Sequence, residues 1–421
     1  MFATSISKKA NSPHVVVLSS LFPNGAEPRA GLFIRERMFR VGAVLPLAVV
    51  APKPWFPLQG LLRRWRPGFR PATAPHERQS GFDVWFPRFL SFPGALKGLD
   101  GFFMALGALP RFWQLKRAGR LDLIDAHFGY PDGYAATMLG RWLNVPVTIT
   151  LRGTEQRHAQ DRALAPRLAL ALQRATRLIA VSQSLRRIAI RLGVAEEKVL
   201  VVGNGVDLQK FSPVGRAAAR RSLGLPESGP VLVTVGGLVE RKGFHRVIEL
   251  LPELRKQFPG LVYLVVGGPS PEGDMGAELK RQVAELGLVD AVRFMGPLAP
   301  ERLREPLSAA EVFVLSTRNE GWANVFLEAM ACGIPVVTTD VGGNSEVVCR
   351  PELGTVVPFG NADRLQAAIE QGLQTHWDAQ VIRRYAEDNT WDQRVEELVD
   401  LFRHLHLQFR GDAVGTQVAP H

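Results

Sequence analysis

Runs of β-branched residues alternate with helical patterns along almost the whole chain, the signature of parallel β-α-β units. In the first half, strands are expected at residues 14–18, 45–50, 121–126, 147–151, 178–181 and 199–202, with helices such as 31–41 and 131–143 between them. The turn-rich stretch Gly203-Asn-Gly-Val-Asp207, followed by Phe211-Ser-Pro213, reads as a hinge. A second series opens at 231–235 and returns at 261–266, 292–295, 312–316 and 336–339. The expected fold is therefore α/β, with two Rossmann-like domains facing each other across a cleft, residues 1–207 and 208–385. A chain of 421 residues suffices for two such cores. Residues 386–410 are expected to form a helix crossing back to the N-terminal domain, and 411–421 a disordered tail.

In sheets of this kind, ligands bind outside the carboxyl ends of the strands, so the loops there are the candidate site. After the strand ending near Ser316 comes Ser316-Thr-Arg-Asn-Glu-Gly-Trp-Ala-Asn-Val-Phe-Leu-Glu328, and the helix it opens stops at Gly333. Glu320 falls in the loop and Glu328 in the first turns of the helix. Unpaired N–H groups at a helix start suit a phosphate, and a carboxylate can accept two hydrogen bonds from a ribose diol. Trp322 either lines the cleft or staples this loop to its domain.

Gly236-Gly-Leu-Val-Glu-Arg-Lys242-Gly243 follows the first strand of the second series. Breaking a sugar–phosphate bond leaves a nucleoside diphosphate, whose developing charge must be neutralised. No Asp-x-Asp pair is present to hold a metal for that purpose, so fixed cations and N–H groups would have to act. Lys242 is the available cation, with Arg241 in reserve. In the first domain, the Pro/Gly loop leading to Gly31 permits close backbone approach. His127, in Asp125-Ala-His127-Phe-Gly-Tyr-Pro-Asp132, stands at a strand end facing the crevice. There it can hydrogen-bond a sugar hydroxyl or buffer charge at the reacting carbon. Arg152 ends the next strand as a second cleft-facing cation. The Val341-Gly-Gly-Asn-Ser-Glu346 turn suits capping and packing as well as it suits ligand contact.

The net charge of +11 is uneven: residues 1–120 carry 18 Lys and Arg against 5 Asp and Glu, and the other 301 carry 33 against 35. Aromatics interleave with those bases in Trp55-Phe-Pro-Leu, Leu61-Leu-Arg-Arg-Trp-Arg66 and Phe112-Trp-Gln-Leu-Lys-Arg117. Such a face suits an anionic membrane surface better than it suits nucleic acid. No apolar run approaches the ~18 residues of a membrane helix, and the lysine-bearing N-terminus lacks a signal-peptide pattern. Two cysteines, Cys332 and Cys349, supply neither a disulfide framework nor metal-ligand spacing, so a cytoplasmic location is expected.

Together these residues resemble the family 4 retaining glycosyltransferases. The resemblance is carried by the glutamate pair with Glu328-Ala-Met-Ala-Cys-Gly-Ile-Pro-Val-Val behind it, the Arg-Lys-Gly loop, the Asn-Gly-Val-Asp hinge and the Val-Gly-Gly-x-x-Glu turn. It is strong over residues 199–348 and looser between 51 and 120. It implies the GT-B architecture and a hexosyltransferase-type transfer from a nucleoside-diphosphate sugar, with retention and without metal or other cofactor. By the same resemblance, Glu328 holds the donor ribose hydroxyls and Glu320 contacts the donor sugar near its reacting face. The N–H groups around Asn324 and Val325, with Lys242, hold the diphosphate. His127 lies near the transferred sugar, Gly31 near the phosphates, and main-chain atoms of Met295 meet the base. The family often has arginine directly after the first glycine of the phosphate loop, Gly236, where this chain has Gly237. Either Arg241 or Arg152 supplies the second cation, or Lys242 and N–H groups hold the diphosphate alone.

The expected function is a cytoplasmic glycosyltransferase, peripheral on the inner face of the membrane, with a glycan or lipid-linked acceptor in polysaccharide or glycolipid synthesis. The alternatives are a nucleotide-sugar epimerase of the same architecture and a non-catalytic nucleotide-binding protein. A dinucleotide-dependent oxidoreductase is disfavoured, since no Gly-x-Gly-x-x-Gly loop follows a strand.

Overall fold

The computed structural model describes residues 12–66, 68–270 and 272–416, with side chains up to residue 411. They fall into two compact units, one running to Gly203 and resuming at Asp392, the other spanning Asn204–Trp391. The N-terminal lysines lie outside the described residues.

The first unit contains β1 (Val15–Leu18), β2 (Leu47–Val50), β3 (Lys53–Trp55), β4 (His76–Gln79), β5 (Phe82–Trp85), β6 (Arg88–Leu90), β7 (Leu123–His127), β8 (Val147–Leu151), β9 (Arg177–Ala180) and β10 (Val199–Val201). Eight of these form one sheet in the order β10-β9-β8-β7-β1-β2-β5-β4, and β3 pairs with β6 apart from it. Strands β1, β7 and β8 are wholly buried, as a parallel sheet covered on both faces requires, and β1 is entirely Val and Leu. Only β4 is antiparallel to its neighbour.

Between residues 51 and 120 the alternation predicts no strands, yet β3 to β6 lie there, with helices Gln59–Trp65 and Asp100–Arg117. The strand β4 reads His-Glu-Arg-Gln, with no apolar residue to signal it. It forms because Ser80 and Gly81, both at positive φ, make a two-residue turn whose twist suits a hairpin.

The second unit holds β11 (Val231–Val235), β12 (Val262–Val266), β13 (Val292–Gly296), β14 (Val312–Leu315), β15 (Val336–Thr339) and β16 (Gly354–Val357) in one sheet, ordered β13-β12-β11-β14-β15-β16. All its pairings are parallel. Apolar clusters cover both faces, one around Phe313, Phe326 and Met330, the other around Phe244, Ile248 and Tyr263.

In both sheets the strand order reverses direction beside the first strand: at β1 and β7 in one, at β11 and β14 in the other. Loops leaving such a pair diverge to opposite faces and leave a crevice at the carboxyl ends. The topology thus singles out the loops after β1, β7, β11 and β14.

Residues 379–387 form their own helix, and a last helix, Trp391–Thr416, follows. It buries Val395, Leu398, Phe402 and Leu405 in the first unit's core with Val17, Ile34 and Met38. This helix runs past Gly411, where the sequence pattern places the start of a disordered tail. The last five positions of that tail lie outside the described residues.

Candidate active site

In the second unit, the loops after β11 and β14 meet at one carboxylate. Glu320 Oε1 accepts hydrogen bonds from Lys242 Nζ at 2.6 Å, Arg241 Nη1 at 3.0 Å and Thr317 Oγ1 at 3.2 Å. Its side chain is only 9% exposed, so both ion pairs are partly desolvated and gain strength accordingly. The other oxygen, Oε2, has no partner among the described residues, which leaves it able to accept from a ligand hydroxyl. Arg241 also grips Glu272 through Nε and Nη2 at 2.8 Å each, and Glu272, then Glu320, hold its guanidinium above the ordinary value.

Glycine makes this junction possible. Gly342 has φ +58°, and a Cβ there would overlap the Glu320 carbonyl oxygen. Gly243 has φ +77° and would likewise collide with the Ser316 carbonyl. Both sites therefore need a residue that tolerates left-handed backbone and has no side chain. The Arg318 amide donates to the Arg241 carbonyl at 2.8 Å, closing the two loops together. The Lys242 stem lies along Gly236, whose Cβ position is 3.5 Å from the lysine Cε.

Four residues beyond Glu320, the helix Asn324–Ala331 begins. Asn324 and Val325 are its first two residues, whose N–H groups have no carbonyl one turn back to receive them. Asn204, in the hinge motif, donates to Asn324 Oδ1 at 2.8 Å and anchors the helix start. Glu328 stands four positions on, half-buried on the same helix face as Asn324. Trp322 is partly buried and packs on the apolar core of this unit, while its indole N–H is buried with no partner among the described residues. Met295 is skipped in the register between β12 and β13, where Phe294 faces Val265 and Gly296 faces Val266. A bulged residue has main-chain groups outside the ladder.

In the first unit, the loops after β1 and β7 are tied together by Asp132, which accepts from the Ser20 amide and from Ser20 Oγ at 3.0 Å. Burial pushes the Asp132 carboxyl up to about 7. Gly31 opens the helix Leu32–Val44 at φ +69°, pressed against the Leu21 carbonyl.

His127 sits at the end of β7, but the sequence expectation of a crevice-facing ring is corrected: its side chain is 0% exposed. Arg152 donates to its Nδ1 from Nε at 3.2 Å and lies 3.0 Å away through Nη2, while Nε2 is 3.2 Å from an Asp125 oxygen. Guanidinium can only donate, so Nδ1 carries the lone pair and the proton resides on Nε2, toward Asp125. Burial lowers the imidazole to about 4, opposed by Asp125 and assisted by Arg152. Arg152 is thereby committed to His127, whereas Arg241 shares a carboxylate with Lys242.

Four residues escaped the sequence reading. Thr317 and Glu272 join the Glu320 network, and Glu155 accepts from the amides of Gly129, Arg152 and Gly153. Arg37 is fully buried, and burial lowers it to about 10. The spacing of Ile34, Arg37, Met38 and Val41 does place that arginine on the apolar helix face.

Residues 215–389 match the family described as glycosyl transferases group 1, and residues 66–210 match glycosyltransferase family 4. The chain is 27% identical over 403 residues, 94% of each chain, to TuaC of Bacillus subtilis, assigned as a teichuronic acid biosynthesis glycosyltransferase. It is 31% identical over 316 residues to the D-inositol 3-phosphate glycosyltransferase of Salinispora arenicola, covering 68% of this chain and 69% of that one. The crystal structure of Anabaena HepE with UDP-glucose shares the fold, with TM-score 0.68 and 21% identity over 92% of this chain and 99% of that chain.

The buried imidazole generates a prediction. Its ordinary value is 6.5 and its folded value about 4, so the unfolded chain binds more protons between those limits. The stability it contributes is present above about pH 6.5 and is lost as pH falls toward 4, up to about 3 kcal/mol. Urea unfolding across this range should show the wild type losing that much relative to His127→Asn. The comparison cancels the opposing slope from Asp132; parallel curves would contradict it.

Proposed function

Since this chain belongs to the glycosyl transferases group 1 family and has its GT-B fold of two Rossmann-like domains, we propose which transfer it carries out. A sugar moves from a nucleoside-diphosphate donor to a hydroxyl of a glycan or lipid-linked acceptor, with anomeric configuration retained and without a metal. The observation that carries this reading is the meeting of Lys242, Arg241 and Glu320 just ahead of the helix start at Asn324.

Two fixed cations, with the N–H groups of Asn324 and Val325, stabilise the charge that grows on the leaving diphosphate. They are aligned before the ligand arrives, so little reorganisation is needed at the moment of bond cleavage. Arg241 takes the part of the arginine absent at Gly237. Glu320 Oε2 accepts from a donor-sugar hydroxyl, Glu328 holds the ribose diol, and the Met295 main chain meets the base. In the first unit, the same reading takes Gly31 as a backbone contact of the donor phosphates. With no nucleophile assigned, retention follows from front-face displacement, the diphosphate oxygen taking the proton of the incoming hydroxyl. The HepE complex with UDP-glucose supports uridine as the first base to try.

A place on the cytoplasmic side of an anionic membrane suits the same reading. No described helix is long and apolar enough to cross a membrane. Leu61 and Trp65 nevertheless stand 53% and 82% exposed on the helix that carries Arg63 and Arg64, and Leu58, just ahead of it, is 78% exposed. Aromatic and basic side chains so arranged suit a headgroup layer.

A thermal-shift screen with uridine, guanosine and adenosine diphosphates should raise the melting temperature with one base, by mass action. No shift with any of them would contradict donor binding. Lys242→Ala should lower kcat/KM by roughly a hundredfold, about 3 kcal/mol; near-full turnover at saturating donor would remove its role. Glu328→Ala should weaken nucleotide affinity by about 1.5–3 kcal/mol in calorimetry, since charged hydrogen bonds are lost. An unchanged affinity there would take the ribose from Glu328. Flotation with anionic vesicles at low salt should carry the protein upward, and a protein left at the bottom would dispose of membrane contact. Sugar analysis after incubation with donor alone separates transfer from epimerisation, which would yield a new donor sugar without acceptor.

A further inference from the structure

Arg241 is paired more heavily than orientation alone requires. A guanidinium carries five N–H groups. Two of them, on Nε and Nη2, reach the two oxygens of Glu272 at 2.8 Å each. Two more, on Nη1, go to the Asn319 carbonyl and to Glu320 Oε1, both at 3.0 Å. Among the described residues one N–H is left over, whereas Lys242 gives Glu320 a single N–H of its three. The Nε and Nη2 edge is the fork that grips a carboxylate or a phosphate through two parallel bonds. Glu272 therefore occupies the part of Arg241 best shaped for a pair of phosphate oxygens.

The two acids on Arg241 differ in how hard they are to remove. Glu320 is 9% exposed and shared with Lys242, so stripping it away would leave two cations uncompensated where water has little access. Glu272 is 50% exposed, and an ion pair of that kind is weakened by water and salt. An arriving dianion thus meets one contact that yields and one that does not. The loop that carries Glu272 follows β12 and is fastened to the loop after β11. There the Leu238 amide donates to the Gly268 carbonyl at 2.9 Å, and the Met275 amide to the Leu238 carbonyl at 2.7 Å. Release therefore takes a turn of the Glu272 side chain and leaves the Arg241 loop in place.

We propose that Glu272 is a stand-in anion, which pairs with the Arg241 fork in the free protein and cedes it to the diphosphate of the donor. Glu320 keeps both cations aimed throughout. Glu272 thereby sets how tightly the donor and the spent diphosphate are held, which makes it an affinity-determining residue and not a catalytic one. The inference rests on the diphosphate reading of this site given above.

The test is calorimetry of inorganic pyrophosphate with the full chain at low salt, a probe that reaches the cations without calling on a base. Glu272→Gln and Glu272→Ala should each bind it about fivefold more tightly than the wild type, or better, because the fork is freed. Removing a nearby negative charge helps any anion in a general way, so the gain is also measured in Arg241→Ala. In that background Glu272→Gln should gain less than about twofold, since the fork it frees is gone. Melting of the unliganded variants near the wild-type temperature confirms that they fold. Either Glu272 variant binding no more tightly than the wild type overturns the proposal and would make Glu272 a support that aims Arg241. A gain that survives intact in Arg241→Ala overturns it too, as a general charge effect. So does pyrophosphate that binds none of the forms. The nucleoside diphosphate thermal shift judges the donor reading separately. A shift in the wild type with no gain in the Glu272 variants removes the stand-in and keeps the donor. A pyrophosphate gain with no shift from any nucleoside diphosphate does the reverse.

Discussion

The second unit is organised around one carboxylate oxygen. Glu320 Oε1 holds an ammonium, a guanidinium and a hydroxyl at once, in a place with little access to water. Two cations side by side repel each other and resist desolvation; a shared anion offsets both penalties and fixes their directions. The backbone around it is arranged to permit this. Gly243 and Gly342 let two carbonyls approach where any side chain would collide, and the crossover between β11 and β14 supplies the gap. The result is a pair of cations held in fixed directions by one carboxylate, four residues ahead of a helix start.

The first unit repeats the geometry with different chemistry. Its strand order also reverses at the first strand, and the loops there are again fastened by an acid, Asp132, reaching Ser20. Among the described residues of these loops, no two cations share a carboxylate as Arg241 and Lys242 do. Arg152 is turned inward onto His127, and Glu155 collects three amides from the loops on either side. A recurring fold therefore provides two crevices. The side chains placed in them decide that one handles charge and the other holds a neutral imidazole with a defined proton.

Much of this was legible before any coordinates. β-Branched runs mark the strands β1, β8, β11, β12, β14 and β15, because buried parallel strands are largely apolar on both faces. Once those strands are ordered, Lys242 and Glu320 fall at the ends of neighbours, so their meeting is a consequence of position. Trp322 could be placed in the loop but not assigned a direction; the structure shows it packed on the core of its unit. The hairpin of β4 and β5 was hidden, since its signal lies in turn conformation and not in periodicity. Glu272 gave no pattern because its partner Arg241 is 31 residues away, and Thr317, three residues before Glu320, shows its role only once the loop is folded. His127 was located but misjudged in exposure. A residue at a strand end can still be covered, and here Asp125 and Arg152 close over it.

The most direct measurement of the central claim is a crystal structure of the chain with a bound nucleoside diphosphate. Diphosphate oxygens within about 3 Å of Lys242 Nζ and the Arg241 guanidinium, at the start of the helix Asn324–Ala331, are the predicted result. A nucleotide bound elsewhere, with the Glu320 ion pairs intact and no phosphate near them, would contradict it.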